Sequence, residues 1–437
     1  MYYLVHPTTS LEGVVKVPGS KSQTARGLIL GTLAKGVTRV QHPMLNCDNY
    51  DIAECCRLLG ADVDTSNDEE WVITSPGLEG LHVPANVLNV GNSGTGFYFI
   101  TTLAGMLKGK SVVTGDYQIC YRPIKPLLDA MREMGAKCTS TRDNDLAPLM
   151  IEGPLEGGHT VHLGGKNVQW GIGLMVCCPA LDGDTTIIYD TTLGERPYAN
   201  LTMDWMKAAG VHLINNNYES FVIPGNQQYH PFTKKTAADW CSASYPMVAA
   251  AIMKEKKTIR LDGLDINDFM GERHYVDWIN EMGGKVTVVD EGRGGVFVEG
   301  GHELHGIEID CGDTPDAVPA LAVLGAYCTS GKMRLYNIAA CRMKETDRAK
   351  SIACELRKMG AKIEEGEDDM VIYPSKLHGA SLDGHHDHRI VMASACAALA
   401  AEGDSFICDA ESVNVSFPRF FEEMRNIKAT IERLSEK

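Results

Sequence analysis

The stretch LDGHHDHRIVMA, residues 382–393, concentrates groups that can do chemistry. Three histidines and an aspartate fill four consecutive positions, and Arg389 follows them. Imidazole and carboxylate groups are ligands of zinc and iron, so a metal centre is one hypothesis for this stretch. Four consecutive residues on a turn or strand cannot all point at one ion, however, and no other His/Cys cluster at ligand spacing supports them.

A second candidate is a set of cations near the N-terminus. The stretch VVKVPGSKSQTARGLILGTLAKG predicts a short strand, a Pro-Gly turn and a helix that stops at Gly36. Lys21 and Ser22 then lie at the helix N-terminus and Arg26 about one turn further on. Free amides, a lysine and a hydroxyl at a helix start can bind an oxyanion. The plainer alternative is a capping serine with two surface cations.

Two further turns lead into apolar helices. In LNVGNSGTGFYFITTLAGML, the glycine-rich residues 91–95 would let a ligand approach the backbone closely. In CGDTPDAVPALAVLGA, Asp316 lies where a turn enters the helix. An acid at a helix start is common, so Asp316 is also compatible with a purely structural role.

The stretch RMKETDRAKSIACELRKMGA places two cations beside an acid. Lys344 and Arg348 are four residues apart, which on a helix makes them neighbours, and Glu345 adjoins them. Like charges one turn apart destabilise a helix slightly, which favours a bound anion or nearby acids such as Asp347. A carboxylate among cations can act as an acid or base if its pKa is shifted.

Composition limits what these motifs can mean. With 437 residues, 44 % of them hydrophobic, the chain can fill two domains of roughly 200 residues. It has no apolar run of about 18 residues and no signal-peptide layout at MYYLVHPTTS, so we expect a soluble, cytoplasmic protein. The 14 scattered cysteines lack CxxC spacing and are interpreted as reduced thiols. A net charge of -16 argues against nucleic acid and anionic membranes as partners.

A repeated pattern organises the chain. Five segments predict an amphipathic helix that ends at a glycine and runs into a strand, with a period of about 75 residues. These segments are CCRLLGADVD, AMREMGAKCT, WMKAAGVHLI, WINEMGGKVTV and ELRKMGAKIE, with Gly60, Gly135, Gly210, Gly283 and Gly360 as markers. EEMRNIKATIE is an imperfect sixth copy. Three units on each side of residue 236 predict two lobes, with a ligand-binding cleft between them.

Nine stretches together resemble one enzyme family. VPGSKSQTAR, GNSGTG, YRPIKPLLDAMREMGA, RPYANLTMDWMKAAGV, ADWCSASYPMVAAAI, TPDAVPALA, RMKETDRAKSIACELRKMGA, DHRIVMA and SFPRFFEEM occur in the order and spacing of the 3-phosphoshikimate 1-carboxyvinyltransferase (EPSP synthase) family. The resemblance implies an α/β (α+β) enolpyruvyl transferase fold of six βαβαββ repeats, three per lobe. The expected lobes are residues 1–19 with 237–437 and residues 20–236, and the expected assembly is a monomer.

The resemblance also implies an activity. Members of this family transfer the enolpyruvyl group of phosphoenolpyruvate to a hydroxyl of 3-phosphoshikimate by addition and elimination, releasing phosphate. The reaction belongs to the shikimate pathway, which leads to chorismate and the aromatic amino acids. The substrates are small anions, phosphoenolpyruvate and a carboxylated cyclic alcohol, and no metal or cofactor is expected because protein cations neutralise the phosphate and carboxylate.

Site residues carry over from the family position by position. The catalytic residues implied are Lys21, Asp316 and Glu345: Asp316 takes the proton of the attacking hydroxyl, and Glu345 moves a proton on and off the methylene carbon. The implied phosphoenolpyruvate-binding residues are Lys21, Gly94, Arg122, Gln169, Arg348 and Arg389. The implied acceptor-binding residues are Ser22, Arg26, Asn167, Gln169, Tyr198, Asp316 and Lys344.

Several positions depart from the family pattern. Asn167 and Val168 replace two serines, and Glu195 a third serine, that bind the acceptor's 3-phosphate in the family. Valine cannot donate a hydrogen bond, and an ionised glutamate would repel a phosphate in a poorly solvated cleft. Val415, Tyr98 and Ala340 stand where the family has a lysine, an arginine and an asparagine. These departures motivate the hypothesis that the acceptor is not 3-phosphoshikimate but another carboxylated cyclic alcohol, either unphosphorylated or with a different group in place of the 3-phosphate.

Three other interpretations remain beside these. The sister enzyme UDP-N-acetylglucosamine enolpyruvyl transferase is disfavoured because Ser22 and Tyr117 replace its asparagine and cysteine. A degenerate, anion-binding paralogue would explain the missing cations but not the retained acids. A metalloenzyme centred on the histidines is the third. Since the family reads Asn-Asp-His-Arg here, we interpret the HHDHR stretch as a scaffold that aims Arg389 at a carboxylate.

Overall fold

The computed structural model describes residues 1–289 and 294–434. The chain forms two compact units. Unit 1 comprises Met1–Pro18 with Ala237–Lys437, and unit 2 comprises Gly19–Thr236. Within the described residues no helix is both long and apolar enough to span a membrane.

Helices and strands alternate along the whole described chain. The chain starts in unit 1 with β1 (Tyr2–Val5) and β2 (Gly13–Lys16). The helices of unit 2 are α1 (Lys21–Leu33), α2 (Cys47–Leu58), α3 (Gly94–Gly105), α4 (Lys125–Glu133), α5 (Gln169–Cys177) and α6 (Arg196–Ala208). Its strands are β3 (Gly36–Gln41), β4 (Asp62–Asp64), β5 (Glu70–Ser75), β6 (Leu88–Asn89), β7 (Gly109–Thr114), β8 (Lys137–Ser140), β9 (Leu149–Gly153), β10 (Thr160–Leu163), β11 (Thr185–Tyr189), β12 (Ile214–Asn216), β13 (Ser220–Ile223) and β14 (Thr233–Lys235).

The chain then returns to unit 1. Its helices are α7 (Trp240–Ala251), α8 (Tyr275–Glu281), α9 (Val318–Ala326), α10 (Arg348–Lys358), α11 (His388–Ala400) and α12 (Phe420–Asn426). Its remaining strands are β15 (Thr258–Asp262), β16 (Lys285–Val289), β17 (Gly295–Glu299), β18 (Glu308–Asp310), β19 (Met333–Tyr336), β20 (Lys362–Glu365), β21 (Asp369–Tyr373), β22 (Ser381–Leu382), β23 (Ser405–Ile407) and β24 (Ile431–Leu434).

The described strands form four-stranded sheets of one design. Unit 2 contains the orders β14-β3-β5-β4, β6-β7-β9-β8 and β10-β11-β13-β12. Unit 1 contains β16-β17-β15-β2, β18-β19-β21-β20 and β22-β23-β1-β24. In every sheet one edge pair is parallel, as in β10–β11 with Thr160 opposite Thr186, and the other pairs are antiparallel. Mixed sheets with one face covered by helices are typical of α/β folds.

Two kinds of helix cover these sheets. Helices such as α9 (VPALAVLGA) are apolar on all sides, and every one of their residues is buried. Helices such as α4 (KPLLDAMRE) bury one stripe, Leu127, Leu128, Ala130 and Met131, and leave the rest half-buried or exposed. The fully buried helices lie between neighbours of the same unit, as α3 does beside α5 and α9 beside α11.

The predicted glycine at the end of each amphipathic helix is confirmed. Gly60, Gly135, Gly210, Gly283 and Gly360 all have positive φ, between 78° and 111°. A left-handed residue after a helix satisfies its last carbonyls and costs glycine nothing. In the imperfect copy near the C-terminus, Lys428 takes this place with φ of 73°. The predicted end of α1 differs slightly, because the helix stops at Leu33 and Gly36 already begins β3.

Candidate active site

Unit 1 gathers a buried network of acids and arginines. Arg348, the first residue of α10, is 1 % exposed and donates hydrogen bonds to three carboxylates. Its Nε lies 2.7 Å from Oδ2 of Asp387, its Nη1 lies 2.7 Å from Oδ1 of Asp316, and its Nη2 contacts Glu345. Burial alone would lower the pKa of Arg348, but the three carboxylates raise it, so this guanidinium stays charged.

Asp316 accepts from a second arginine as well. Arg389 Nη2 lies 2.9 Å from Oδ2 of Asp316, and Lys344 Nζ lies 3.9 Å from Oδ1. Burial works to raise the pKa of Asp316, yet Arg389, Lys344 and Arg348 together hold it well below its usual range. The structure therefore brings together Asp316, Lys344, Glu345, Arg348 and Arg389, five of the predicted site residues.

The starts of two helices set this geometry. Asp387 caps α11, because its Oδ1 accepts from the amide of Arg389 over 2.9 Å, while its other contacts go to Arg348. Asp347 caps α10 by accepting from the amide of Lys350. The prediction that Lys344 and Arg348 are neighbours on one helix is wrong, because this cap starts α10 at Arg348 and leaves Lys344 in the preceding loop.

The histidine stretch forms a turn and a helix start. His385 and His386 adopt φ of 52° and 55°, Asp387 is the cap, and His388 begins α11. The imidazoles contact different carboxylates: His385 Nε2 lies 2.7 Å from Glu355 and His386 Nδ1 lies 3.1 Å from Asp409. Side chains directed at separate partners do not enclose one ion, which agrees with the interpretation of this stretch as a scaffold for Arg389.

Sequence reasoning missed a buried carboxylate beside this network. Glu272, in the turn that precedes α8, is 2 % exposed. Its side chain, the Cys241 thiol and Asp316 place one ligand atom each within 4.8 Å of one another. Burial and then Asp316 raise the pKa of Glu272 to about 7. The sequence MGERHY carries no signal for this, because an acid followed by Arg273 and His274 is typical of an exposed turn.

A thiol and two carboxylates can bind a metal ion, but here one of the carboxylates is already bound by cationic side chains. Asp316 already accepts hydrogen bonds from Arg348 and Arg389. Burial raises the pKa of the Cys241 thiol well above its usual range, so a cation bound here would have to displace the thiol proton and compete with both arginines for Asp316.

In unit 2, Lys21 pairs with a buried acid. Lys21 is the first residue of α1, and its Nζ lies 3.0 Å from Oδ2 of Asp48, whose side chain is 2 % exposed. The cap of α1 is Ser20 rather than Ser22. Burial, together with Asp48 and Asp116, raises the pKa of the nearby Asp51 to about 6. Asp48 therefore holds the Lys21 side chain at the helix start.

Arg26 is buried rather than a surface cation. Its Nε donates to Thr202 over 2.9 Å, its Nη1 to the Ser22 carbonyl over 2.8 Å and its Nη2 to the Tyr198 carbonyl over 3.3 Å. The guanidinium also lies over the Tyr198 ring, 5.9 Å from its centroid. Burial lowers the pKa of Arg26 to about 10, so it remains charged at neutral pH. Arg26 thus joins Ser22 and Tyr198, two other predicted acceptor-binding residues.

Arg122 and the adjacent Pro123 contact the starts of α3 and α5. A Cβ atom at Gly94, the first residue of α3, would lie 1.9 Å from Nη1 of Arg122, so a larger residue there would displace the guanidinium. The Pro123 carbonyl accepts from the Trp170 indole over 3.0 Å, and Trp170 follows Gln169 at the start of α5. Arg122 and Gln169 are both buried.

The divergent positions of unit 2 are buried too. Val168 and Glu195 are each 0 % exposed, and Asn167 is half-buried, with its Oδ1 accepting from the Gln169 amide over 3.0 Å. Glu195 precedes α6 in a left-handed conformation, with φ of 54°. A serine at this position would place a neutral hydroxyl where Glu195 places a fully buried carboxylate. The catalytic and substrate-binding roles implied by the resemblance stay predictions for the residues of both units.

Comparison with known proteins identifies the family. The family model described as EPSP synthase (3-phosphoshikimate 1-carboxyvinyltransferase) matches residues 5–424. The curated 3-phosphoshikimate 1-carboxyvinyltransferase of Acetivibrio thermocellus is 41 % identical and covers 93 % of this chain and 94 % of its own. The enzyme of that name from Methanocaldococcus jannaschii is 37 % identical, over 99 % of this chain and 100 % of its own.

Solved structures agree in fold. EPSP synthase from Acinetobacter baumannii superposes with a TM-score of 0.84 at 26 % identity, over 99 % of each chain. The enolpyruvyl transferase NikO from Streptomyces tendae has a TM-score of 0.79 at 19 % identity, covering 99 % of this chain and 98 % of its own, which supports the fold alone. The predicted α/β fold and the predicted resemblance are confirmed. The chain belongs to the EPSP synthase (3-phosphoshikimate 1-carboxyvinyltransferase) family.

Proposed function

We propose that this protein transfers the 1-carboxyvinyl group of phosphoenolpyruvate to a hydroxyl of 3-phosphoshikimate and releases phosphate, in the shikimate pathway. The observation that carries the proposal is the buried contact of Asp316 with Arg348 and Arg389, with Glu345 on the same arginine. Two acids and fixed cations are what addition and elimination at an anionic enol require.

In unit 1, the acids move protons and the cations bind a carboxylate. Asp316 takes the proton of the attacking hydroxyl while the hydroxyl oxygen bonds to C2 of phosphoenolpyruvate, and Glu345 gives a proton to C3. In the elimination step C3 returns its proton to Glu345, the C2–C3 double bond forms again, the bond from C2 to the phosphate oxygen breaks, and phosphate leaves with the proton that Asp316 took. A substrate carboxylate bound to Arg348 and Arg389 would compete with Asp316 for their N–H groups and so raise its proton affinity.

In unit 2, the proposal assigns binding roles. Lys21, Arg122 and Gln169, with the Gly94 amide, bind the phosphate of phosphoenolpyruvate. Ser22, Arg26, Asn167 and Tyr198 bind the acceptor, together with Lys344 of unit 1. The charged state of Arg26 within a buried shell supports this role, because a preorganised cation loses little freedom when it binds an anion. The proposed working form is a monomer, since one chain supplies every assigned residue; sedimentation equilibrium tests this.

Turnover tests the proposed function directly. Phosphate release from phosphoenolpyruvate is measured with 3-phosphoshikimate, with shikimate and without acceptor, and E345Q serves as a matched variant of the same size. The expected result is saturable release with 3-phosphoshikimate, a loss of about 10²-fold or more in E345Q, and phosphoenolpyruvate binding retained in calorimetry. Binding without turnover for any acceptor would instead support the degenerate paralogue.

The burial of Glu195 favours a second candidate, the same transfer to an unphosphorylated cyclic alcohol. An ionised carboxylate repels a phosphate most strongly where water is excluded, and Glu195 is 0 % exposed. Comparison of wild type with E195S separates the candidates. If the second candidate is correct, wild type releases phosphate faster with shikimate than with 3-phosphoshikimate, and E195S shifts this preference toward 3-phosphoshikimate. An unchanged preference in E195S contradicts this second candidate.

A further inference from the structure

Glu272 is a buried acid for which the proposed reaction has no role so far. It lies in the turn Gly271–His274 of unit 1, and one of its carboxylate oxygens lies within 4.8 Å of an oxygen of Asp316. Asp316 precedes α9 and carries the proposed proton transfer from the attacking hydroxyl. Two carboxylates at this separation, shielded from water, interact strongly because little solvent screens them.

The charged and titratable groups around Glu272 come from every side. Cys241 of α7 forms a hydrogen bond with it, and Tyr275 of α8, Asp316 and Arg389 of α11 interact with it electrostatically. Arg389 is the cation of this set, and its Nη2 is bonded to Asp316 at 2.9 Å. The Tyr275 hydroxyl donates a hydrogen bond of 2.8 Å to the carbonyl of Ala317, which directly follows Asp316. Glu272 therefore belongs to the same electrostatic unit as Asp316.

The coupling between the two acids acts in both directions. Burial, and next the charge of Asp316, raises the pKa of Glu272 to about 7, while Arg389 opposes the shift. Glu272 therefore changes charge near neutral pH. By reciprocity its negative charge raises the proton affinity of Asp316, which the surrounding cations otherwise keep low.

We propose that Glu272 is a positioning residue that acts through Asp316. The Glu272 carboxylate lies within 4.8 Å of the Asp316 carboxylate, and the negative charge of Glu272 makes Asp316 a better acceptor for the hydroxyl proton. No bond to substrate is involved. The inference rests on the proposed function in taking Asp316 as the proton acceptor, and it adds a second acid that sets the pH range of the reaction.

The pH dependence of kcat provides the test. In wild type, kcat rises with pH as Glu272 ionises, and E272Q, which is neutral at every pH, stays at the low-pH level. The expected difference above pH 8 is about threefold to tenfold in kcat with little change in KM, because the rate of a general base follows its pKa. E272D keeps the rise. D268N is the matched control, since Asp268 is another buried acid of the same loop with its pKa raised to about 7, and its profile should match wild type.

A second variant protects the test against a folding defect. Cys241 donates a hydrogen bond that favours ionised Glu272, so C241A should move the midpoint of the rise to higher pH. The proposal is overturned if E272Q folds and keeps the wild-type rise, or if C241A leaves the midpoint unchanged.

A direct titration separates this proposal from the proposed function. The carboxyl band of Glu272 is followed by infrared difference spectroscopy of wild type against E272Q, without substrates. We expect a midpoint near neutral pH that moves to lower pH in D316N, because the neighbouring charge is removed. If D316N leaves the midpoint unchanged, the two acids are not coupled, and the present proposal is wrong even if the protein is active. If the midpoint shifts as expected but no acceptor is turned over, only the proposed reaction is wrong.

Discussion

Arg348 donates a hydrogen bond to Asp316 over 2.7 Å, and both side chains are buried in unit 1. The same guanidinium bonds Asp387 on one side and Glu345 on the other, so three acids are arranged by one cation. A buried cation with several carboxylates is stable only while the set is complete, because each remaining charge depends on its partners.

Removal of Asp387 should therefore cost stability. D387N removes the negative charge of Asp387 and one of the two oxygens that accept from Arg348, while the remaining amide oxygen can still cap α11. We expect the free energy of unfolding to fall by about 3–5 kcal/mol, measured by urea denaturation at pH 7. D383N, at an exposed acid of the same turn, is the control. Equal losses in both variants would mean that the buried network contributes little.

Lys21 should matter more for activity than for stability. K21M leaves buried Asp48 with one cation fewer, so we expect a loss of about 1–3 kcal/mol in unfolding free energy, reduced because Lys21 is partly exposed. Phosphate release should fall by about 10²- to 10³-fold if Lys21 binds the transferred phosphate. The double variant K21M/D48N should regain stability but not activity. Recovery of activity in the double variant would contradict the assigned role.

Asp268 should make stability fall as pH rises. Its pKa is about 7 in the folded chain against an ordinary 3.8, so between these values the folded state binds the proton and the unfolded state does not. The unfolding free energy then decreases with pH across this window. D268N removes the effect, so it should be more stable than wild type at pH 8 by about 1–3 kcal/mol but not at pH 4. D265N, at an exposed acid of the same loop, should show no such difference.

His385 should also make stability fall as pH rises, in this case through the loss of a stabilising ion pair with Glu355. The hydrogen bond to Glu355 raises the pKa of His385 above 6.5, so its contribution is complete below that pH and is lost as pH rises through the folded-state pKa. H385Q should lose about 0.5–1 kcal/mol at pH 5.5 and less at pH 9, because the pair is partly exposed. A double-mutant cycle with E355Q isolates the pair. A coupling energy that does not change with pH would argue against a charged imidazole.

Metal removal should leave the protein unchanged. Elemental analysis of the protein purified without a histidine tag should find substoichiometric zinc and iron, since a cation would have to compete with the two arginines bonded to Asp316. Dialysis against EDTA should not alter phosphate release. A stoichiometric metal that disappears in C241A would show instead that the thiol, Glu272 and Asp316 form a metal site.

How far the sequence predicts the structure depends on the range of the interactions. The glycines after the amphipathic helices and the helix start at Lys21 follow from local backbone preferences, and both are found. Two partners of Arg348, Asp316 and Asp387, lie just before α9 and α11 and are far from Arg348 in sequence, so no spacing rule reveals these contacts. The prediction places Lys344 on the same helix as Arg348 because the helical periodicity of the sequence extends to residues before Asp347. Asp347 instead caps the helix, so α10 starts only at Arg348.

Glu272 and Asp48 were missed for a related reason. Each looks like a surface acid in its local sequence, and each is buried because a distant element covers it. A buried charge is recognised only by its partners, Arg389 and Asp316 for one and Lys21 for the other.

The starts of three buried helices of unit 1 meet at one place: Cys241 is the second residue of α7, Asp316 immediately precedes the first turn of α9, and Arg389 is the second residue of α11. Each helix start carries partial positive charge from backbone amides that no helix carbonyl accepts. The main chain therefore contributes partial positive charge at this point, in addition to the charges of Arg348 and Arg389. If this place binds the anionic substrates proposed above, the main-chain contribution would help a chain with net charge -16 to hold them, and side-chain substitution alone would not remove that contribution.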